Sequence, residues 1–191
     1  MIRSLFSCTA LILTVAACGG PAIPTQTPAT APGGQQVYRI APGTEDAVQI
    51  RFLDGMNAIR QAAGAPPVAF SAALNAAAAT HSRDMSVQNR PWHFGSDGSS
   101  PLDRARRVGY TGRFLGENIS ETFETELETL AAWMETPETR AIITDRQAND
   151  LGFAWYQEPS GKIWWTMVTG DRDAAAIRNA ATAAVAPPTG R

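Results

Sequence analysis

Two consecutive segments, Asp150–Gln157 and Lys162–Thr169, are apolar on both faces, and this limits the fold more than any other feature of the chain. In the first, Leu151, Phe153 and Trp155 alternate with Ala154 and Tyr156; in the second, Ile163, Trp165 and Met167 alternate with Trp164 and Val168. Successive side chains of a strand point to opposite sides, so a strand apolar on both sides needs cover above and below. Glu158-Pro-Ser-Gly161 between them reads as a hairpin connection, which makes the pair antiparallel. A further strand is predicted over Arg113–Ser120. Helices flanking a mainly antiparallel sheet, an α+β arrangement, meet the demand for two-sided cover.

The rest of the chain supplies those helices. Thr44-Glu-Asp reads as an N-cap with acids in the first turn, leading into Val48, Phe52, Met56 and Ile59 on one helical face. Gly64 and Pro66-Pro67 stop that helix. Ser71 caps a second, with Leu74, Ala78, His81 and Met85 on one face, ending at Asn89-Arg90-Pro91. Pro101 opens a short helix through Val108, and Glu126–Met134 is predicted to turn Leu127, Leu130, Ala131 and Met134 to one side. Thr136-Pro137-Glu138 reads as another helix start, with Thr as N-cap and Pro at the first helical position. Arg104, Arg106 and Arg107 read as a solvated face.

Length and composition bound the rest. A chain of 191 residues and 20.4 kDa holds one ordinary domain plus tails. A net charge of −2 argues against general nucleic-acid binding, although the basic residues are 15 Arg and one Lys, Lys162. Two Cys make neither a disulfide framework nor a Cys-rich zinc site, and two His confine imidazole chemistry to His81 and His93. Met1-Ile-Arg-Ser followed by the apolar run Leu5–Ala17 reads as a signal segment too short to span a bilayer. Its end, Leu13-Thr-Val-Ala-Ala-Cys18, resembles the lipobox of bacterial lipoproteins, which implies cleavage before Cys18 and its acylation. The expected organisation is a signal peptide over 1–17 and a lipidated Cys with a Pro-rich tether over 18–36. A domain over 37–173 and an Ala/Pro-rich tail over 174–191 follow. The domain is then held at the cell envelope outside the cytoplasm. Gly19, in place of the Asp retention signal of some Gram-negative lipoproteins, favours the outer membrane.

Three segments stand out in order: His93-Phe-Gly-Ser-Asp-Gly98, Gly116-Glu-Asn-Ile119 and Trp133-Met-Glu-Thr-Pro-Glu-Thr-Arg140. With Asn57-Ala-Ile-Arg60, Leu74–Met85, Gly152 and Trp164-Trp165, they resemble the bacterial branch of the CAP superfamily, which includes cysteine-rich secretory and pathogenesis-related proteins. The resemblance covers most of Val48–Gly170. It implies a three-layer α-β-α sandwich, in agreement with the two-sided strands, and a cavity lined by two His and, in many members, two acids. Some members hold a divalent metal there. By position, the first His is His93 and the first acid is Glu117. Thr139 stands where the bacterial pattern Trp-x-x-Ser-Pro-Gly-His has its second His, and Thr136 where the second acid falls. The expected cavity residues are therefore His93, Glu117 and Thr139.

This donor set is short for a metal. Zinc takes three or four strong ligands at about 2.0–2.2 Å, and His93 with Glu117 supplies two. No cofactor is expected, with zinc the less favoured reading. His81, among Leu74, Ala78 and Met85, reads as a packing histidine. Ser96 and Ser120, the serines nearest the candidate residues, lack a Gly-x-Ser-x-Gly elbow, so no catalytic residue is assigned. The expectation is a non-catalytic binding module for a lipid, peptide or cell-wall component, anchored to a membrane through Cys18. The alternative is a metal-assisted hydrolase of peptide or wall material.

Overall fold

A computed structural model describes residues 29–30 and 36–174. The signal segment, Cys18, most of the tether and the tail after residue 174 lie outside the described residues. In chain order the elements are β1 (Ala29–Thr30), β2 (Gln36–Val37), α1 (Glu45–Ala62), β3 (Ala69–Phe70), α2 (Ala72–Gln88) and α3 (Pro101–Arg107). β4 (Arg113–Thr122), α4 (Glu126–Glu135), α5 (Pro137–Ile143), β5 (Asp150–Gln157) and β6 (Ile163–Asp171) follow.

The two-sided strands are β5 and β6, antiparallel neighbours at the centre of a four-stranded sheet of order β3-β5-β6-β4. Leu151, Phe153, Ile163, Trp165 and Met167 face one way, against Val48, Phe52 and Met56 of α1 and Leu130 and Trp133 of α4. Phe52 stacks on Phe153 at 3.6 Å between ring centroids. Ala154 and Val168 face the other way, against Leu74 and Ala78 of α2 and Ala105 of α3. The fold is thus α+β, helices on both faces of a mostly antiparallel sheet, as the strand pattern requires. The two faces differ in character: one is built of large apolar side chains, while the other mixes small and polar ones, Gly152, Ala154, Thr166 and Glu117, with the buried Trp164. Gly152 belongs to the second. A Cβ there would collide with the backbone of Leu74, so the missing side chain lets α2 lie directly on β5.

A bulge in β4 decides what faces α2. Phe114 sits opposite Gly170, but Gly116 sits opposite Thr169, so Phe114 and Glu117, three residues apart, point to the same side. Phe114 packs with the α2–α3 cluster, and Glu117 points to the same side, toward His81 of α2 and Arg104 of α3.

Several local expectations need revision. β3 is parallel to β5 and only two residues long, too short for a periodicity to reveal. The stripe of α4 that is buried is Glu126, Thr129, Leu130 and Trp133, while Leu127 and Ala131 are exposed. Polar Glu126 is tolerated there because Arg51 Nε donates to its carboxylate at 2.6 Å. Thr44 occupies the N-cap of α1, yet its hydroxyl donates to the Ala41 carbonyl. Thr136 precedes α5 without a side-chain capping bond. Ser71 does accept from Leu74 N–H.

Candidate functional site

Helix α2 ends where Asn89 adopts a left-handed conformation, φ 49°, which turns the chain out of the helix. The segment that follows folds back along α2. Gln88 Nε2 donates to the Phe94 carbonyl at 3.1 Å, and Asp84 accepts from both the Ser96 N–H (2.7 Å) and the Ser96 hydroxyl (2.5 Å). Asp97 Oδ1 accepts from Ser99 N–H within the Gly95–Ser99 turn, which Gly95 N–H closes on the Ser99 carbonyl. The His93 imidazole is left to reach the sheet. Its Nδ1 lies 2.9 Å from Glu117 Oε1, and since a carboxylate only accepts, Nδ1 is the donor.

Glu117 is buried, and three further contacts surround it. Arg104 Nη2 donates to Oε2 at 2.8 Å and to Oε1 at 3.0 Å. Its Nη1 donates to the Ser99 carbonyl, which fixes the guanidinium against the loop. His81 Nε2 stands 3.7 Å from Oε1, on a ring with no exposure at all. Burial is the main reason the His81 pKa falls below its ordinary value of 6.5; Glu117 opposes the shift and Arg104 reinforces it. His81 is therefore a neutral neighbour. His93 is the outer member of the group, with its side chain 48 % exposed.

Arg104 corrects the sequence reading: it is buried and paired, while Arg107 is exposed and meets Asp97 at the surface. Its orientation follows from α3. Ser100 and Asp103 form a capping box at the start of that helix, and one turn later Arg104 comes round beside buried Ala105 to face the sheet. Three arginines within four positions gave no sign of which would turn inward. His81 was legible as a buried residue, but its closeness to Glu117 depends on the bulge in β4.

Thr139 is not brought to this group. Its carbonyl accepts from Asn118 Nδ2 at 3.0 Å, and Asn118, next to Glu117 in an extended strand, points to the opposite face. A Cβ on Gly116 would likewise meet Ile142, which places α5 on that opposite face. The Thr139 hydroxyl donates to the Trp133 carbonyl at 2.5 Å and is used up inside the α4–α5 junction.

Beside the Glu117 group lies a cavity of about 220 Å³, lined by Thr80 and Asp84 of α2, Ser96 and Ser99 of the loop, and Arg104 and Val108. Arg104 is the wall the two share. The Glu117 group does not fit a metal ion. Both oxygens of its carboxylate already accept from a guanidinium, and a divalent cation beside that fixed positive charge would be repelled. Among the described residues no three His, Cys, Asp or Glu side chains are grouped to hold a metal.

A two-sided sheet between helical layers, with an imidazole–carboxylate pair under the α2–α3 side, defines a class of three-layer α-β-α sandwich. The chain belongs to the CAP family, the cysteine-rich secretory protein family, whose model matches residues 53–169. It is similar to the YkwD protein of Bacillus subtilis, with 28% identity over 130 residues, 68% of this chain and 50% of that protein. The chain thus spans about half the length of the curated relative it matches. In fold it resembles an extracellular SCP-domain protein of Bacillus anthracis, with a TM-score of 0.62 at 21% identity, over 72% of this chain and 46% of that one. It also resembles an outer surface protein of Borrelia burgdorferi, with a TM-score of 0.59 at 12% identity, over 71% of this chain and 98% of that one.

Proposed function

We propose that this chain is a non-catalytic binding module of the cell envelope, held outside the cytoplasm by an acylated Cys18. The observation that carries this reading is the pairing of buried Glu117. Its oxygens accept from Arg104 and His93, so the carboxylate is neither open to a metal nor available as a base. The nearby hydroxyls are committed as well: Ser96 donates to Asp84, not to His93, and no serine is hydrogen-bonded to either imidazole among the described residues. General-base activation of a nucleophile requires that bond, or a water in its place. What remains is a rigid polar floor beside a cavity large enough for a small acyl, peptide or sugar group, and a set of fixed side chains suits recognition.

Placement outside the cytoplasm draws on the lipobox at Leu13–Cys18 and on the fold neighbours described as extracellular or outer surface proteins. Among the described residues no helix is long and apolar enough to cross a membrane.

A hydrolytic reading has one observation in its favour. His93 gives Nδ1 to a carboxylate while its ring is half exposed, which is how a carboxylate orients a general base. The two readings part on turnover. The mature chain, incubated with a peptide library and with peptidoglycan, with and without added zinc, is expected to leave both intact. Cleavage abolished by His93→Ala would replace the binding reading with the hydrolytic one.

A further inference from the structure

The segment that carries His93 also presents two large aromatic side chains to solvent. Trp92 is 41% and Phe94 44% exposed, with ring centroids 5.3 Å apart. The Arg90 guanidinium lies over the Trp92 ring at 3.7 Å. These rings are not on a loose loop: the Phe94 carbonyl is held by Gln88, and His93 between them is tied to Glu117. Val87, one residue before the end of α2, is 77% exposed. A fixed, outward-facing aromatic pair topped by a cation is built to meet something other than water.

Its place in the molecule indicates what. Asn89 Oδ1, at the end of α2, accepts from Lys162 Nζ at 2.9 Å. The neighbouring Gly161 lies so close to Val37 that a Cβ would collide with it, and Arg39 Nη1 donates to the Pro159 carbonyl at 2.9 Å. Asn89, three residues before Trp92, and the segment where the domain begins therefore lie at the same end, around the β5–β6 turn. Ala29 pairs with Val37. Only residues 19–28 separate Cys18 from Ala29, so Cys18 is confined to within about 40 Å of this end even with that segment fully extended. The charges agree. Arg39, Arg83 and Arg90 are exposed, and among the described residues none forms an ion pair with a carboxylate, in a chain whose net charge is −2.

We propose that this end of the molecule is a membrane-contact surface, with Trp92 and Phe94 entering the boundary between headgroups and acyl chains. Tryptophan and phenylalanine are favoured at that depth, the indole keeping its N–H among polar headgroups. Arg39, Arg83 and Arg90 meet anionic phospholipid. The inference rests on the anchor at Cys18 for delivery to the bilayer. It adds an orientation: the exposed edge of His93 is turned toward the lipid.

The test uses vesicles of phosphatidylethanolamine and phosphatidylglycerol with brominated acyl chains. Acylated protein purified from membranes and reconstituted in them is expected to show tryptophan quenching that Trp92→Phe removes. Trp133, Trp164 and Trp165 are buried, and Trp155 packs against the large apolar core. Unquenched fluorescence, or quenching unchanged in Trp92→Phe, overturns the proposal. Unacylated protein carrying Cys18→Ser is expected to partition onto the same vesicles. Trp92→Ser with Phe94→Ser should weaken this at least tenfold, and Ile50→Ser, an exposed apolar control on α1, should leave it unchanged. Equal partition by all three forms, or none by the parent, also overturns it. Mass spectrometry of the protein from native membranes reads the acyl group on Cys18 separately. Its absence removes the anchor alone and leaves the soluble-protein arm to decide the surface.

Discussion

At the scale of single residues, the centre of this protein is Glu117 and what it costs to bury it. A carboxylate taken out of water needs compensation, and Arg104 supplies it from a position that is itself buried. Removing one partner strands the other. Arg104→Met is expected to destabilise the domain by about 3 kcal/mol, and the double change Arg104→Met with Glu117→Met to recover most of that loss. Chemical denaturation of the parent and the two variants reads both values; a double variant as unstable as the single would mean the pair is not an isolated charge balance. His81 gives a second residue-scale expectation, in pH. Its folded pKa lies below 6.5, so between that lowered value and 6.5 the unfolded chain binds more protons than the folded one. Stability is then complete above about pH 6.5 and declines as the pH falls below it. Across pH 7.5 to 5, His81→Gln is expected to flatten that decline; an unchanged slope would assign it elsewhere. His81 was readable in the sequence as a core position because it shares a helical face with Leu74, Ala78 and Met85. Its proximity to a carboxylate was not, since nothing local predicts which residue of β4 faces it.

At the scale of elements, the long and strongly periodic segments were legible and the short ones were not. The limits of β5 follow from its alternation, and those of α1 and α2 from stop signals at Gly64 and Asn89. The two-residue β3, the bulge at Phe114–Gly116 and the buried stripe of α4 depend on tertiary partners, so neither propensity nor periodicity carries them. Asn57-Ala-Ile-Arg60 shows how a motif noticed only by resemblance acquires a physical reason. Asn57 exchanges two hydrogen bonds with the Val68 backbone, and the fully buried Arg60 guanidinium donates to the carbonyls of Pro66, Ile143, Asp145 and Ala148. These bonds hold the end of α1 to the segments before β3 and β5. Gly152 is the corresponding device between α2 and β5. Gly152→Ala would force the α2 backbone away from the sheet, and since α2 carries His81 and Asp84, the loop bearing His93 would move with it. A loss of about 3 kcal/mol is expected from overpacking at this contact. A denaturation midpoint equal to that of the parent would show that the helix yields freely.

At the scale of the whole molecule, one sheet with unlike faces divides the work. The face toward α1 and α4 is packed with Phe, Trp, Leu and Met and serves stability; the face toward α2 and α3 sets small and polar side chains among Phe114 and Trp164 and holds the site. The sequence led correctly to two covered faces, but not to which residues share a face across different elements. For that reason Thr139, placed with His93 and Glu117 by resemblance, lies behind the sheet, and Arg104, read as solvated, lies under it. The proposed binding without catalysis rests on this arrangement, because buried Glu117 is matched by a resident cation. Calorimetric titration of zinc into the mature chain carrying Cys18→Ser, beside the same protein with His93→Ala, tests that claim most directly. The expected result is no binding in the micromolar range for either form. Stoichiometric micromolar binding by the first, lost in the second, would contradict it.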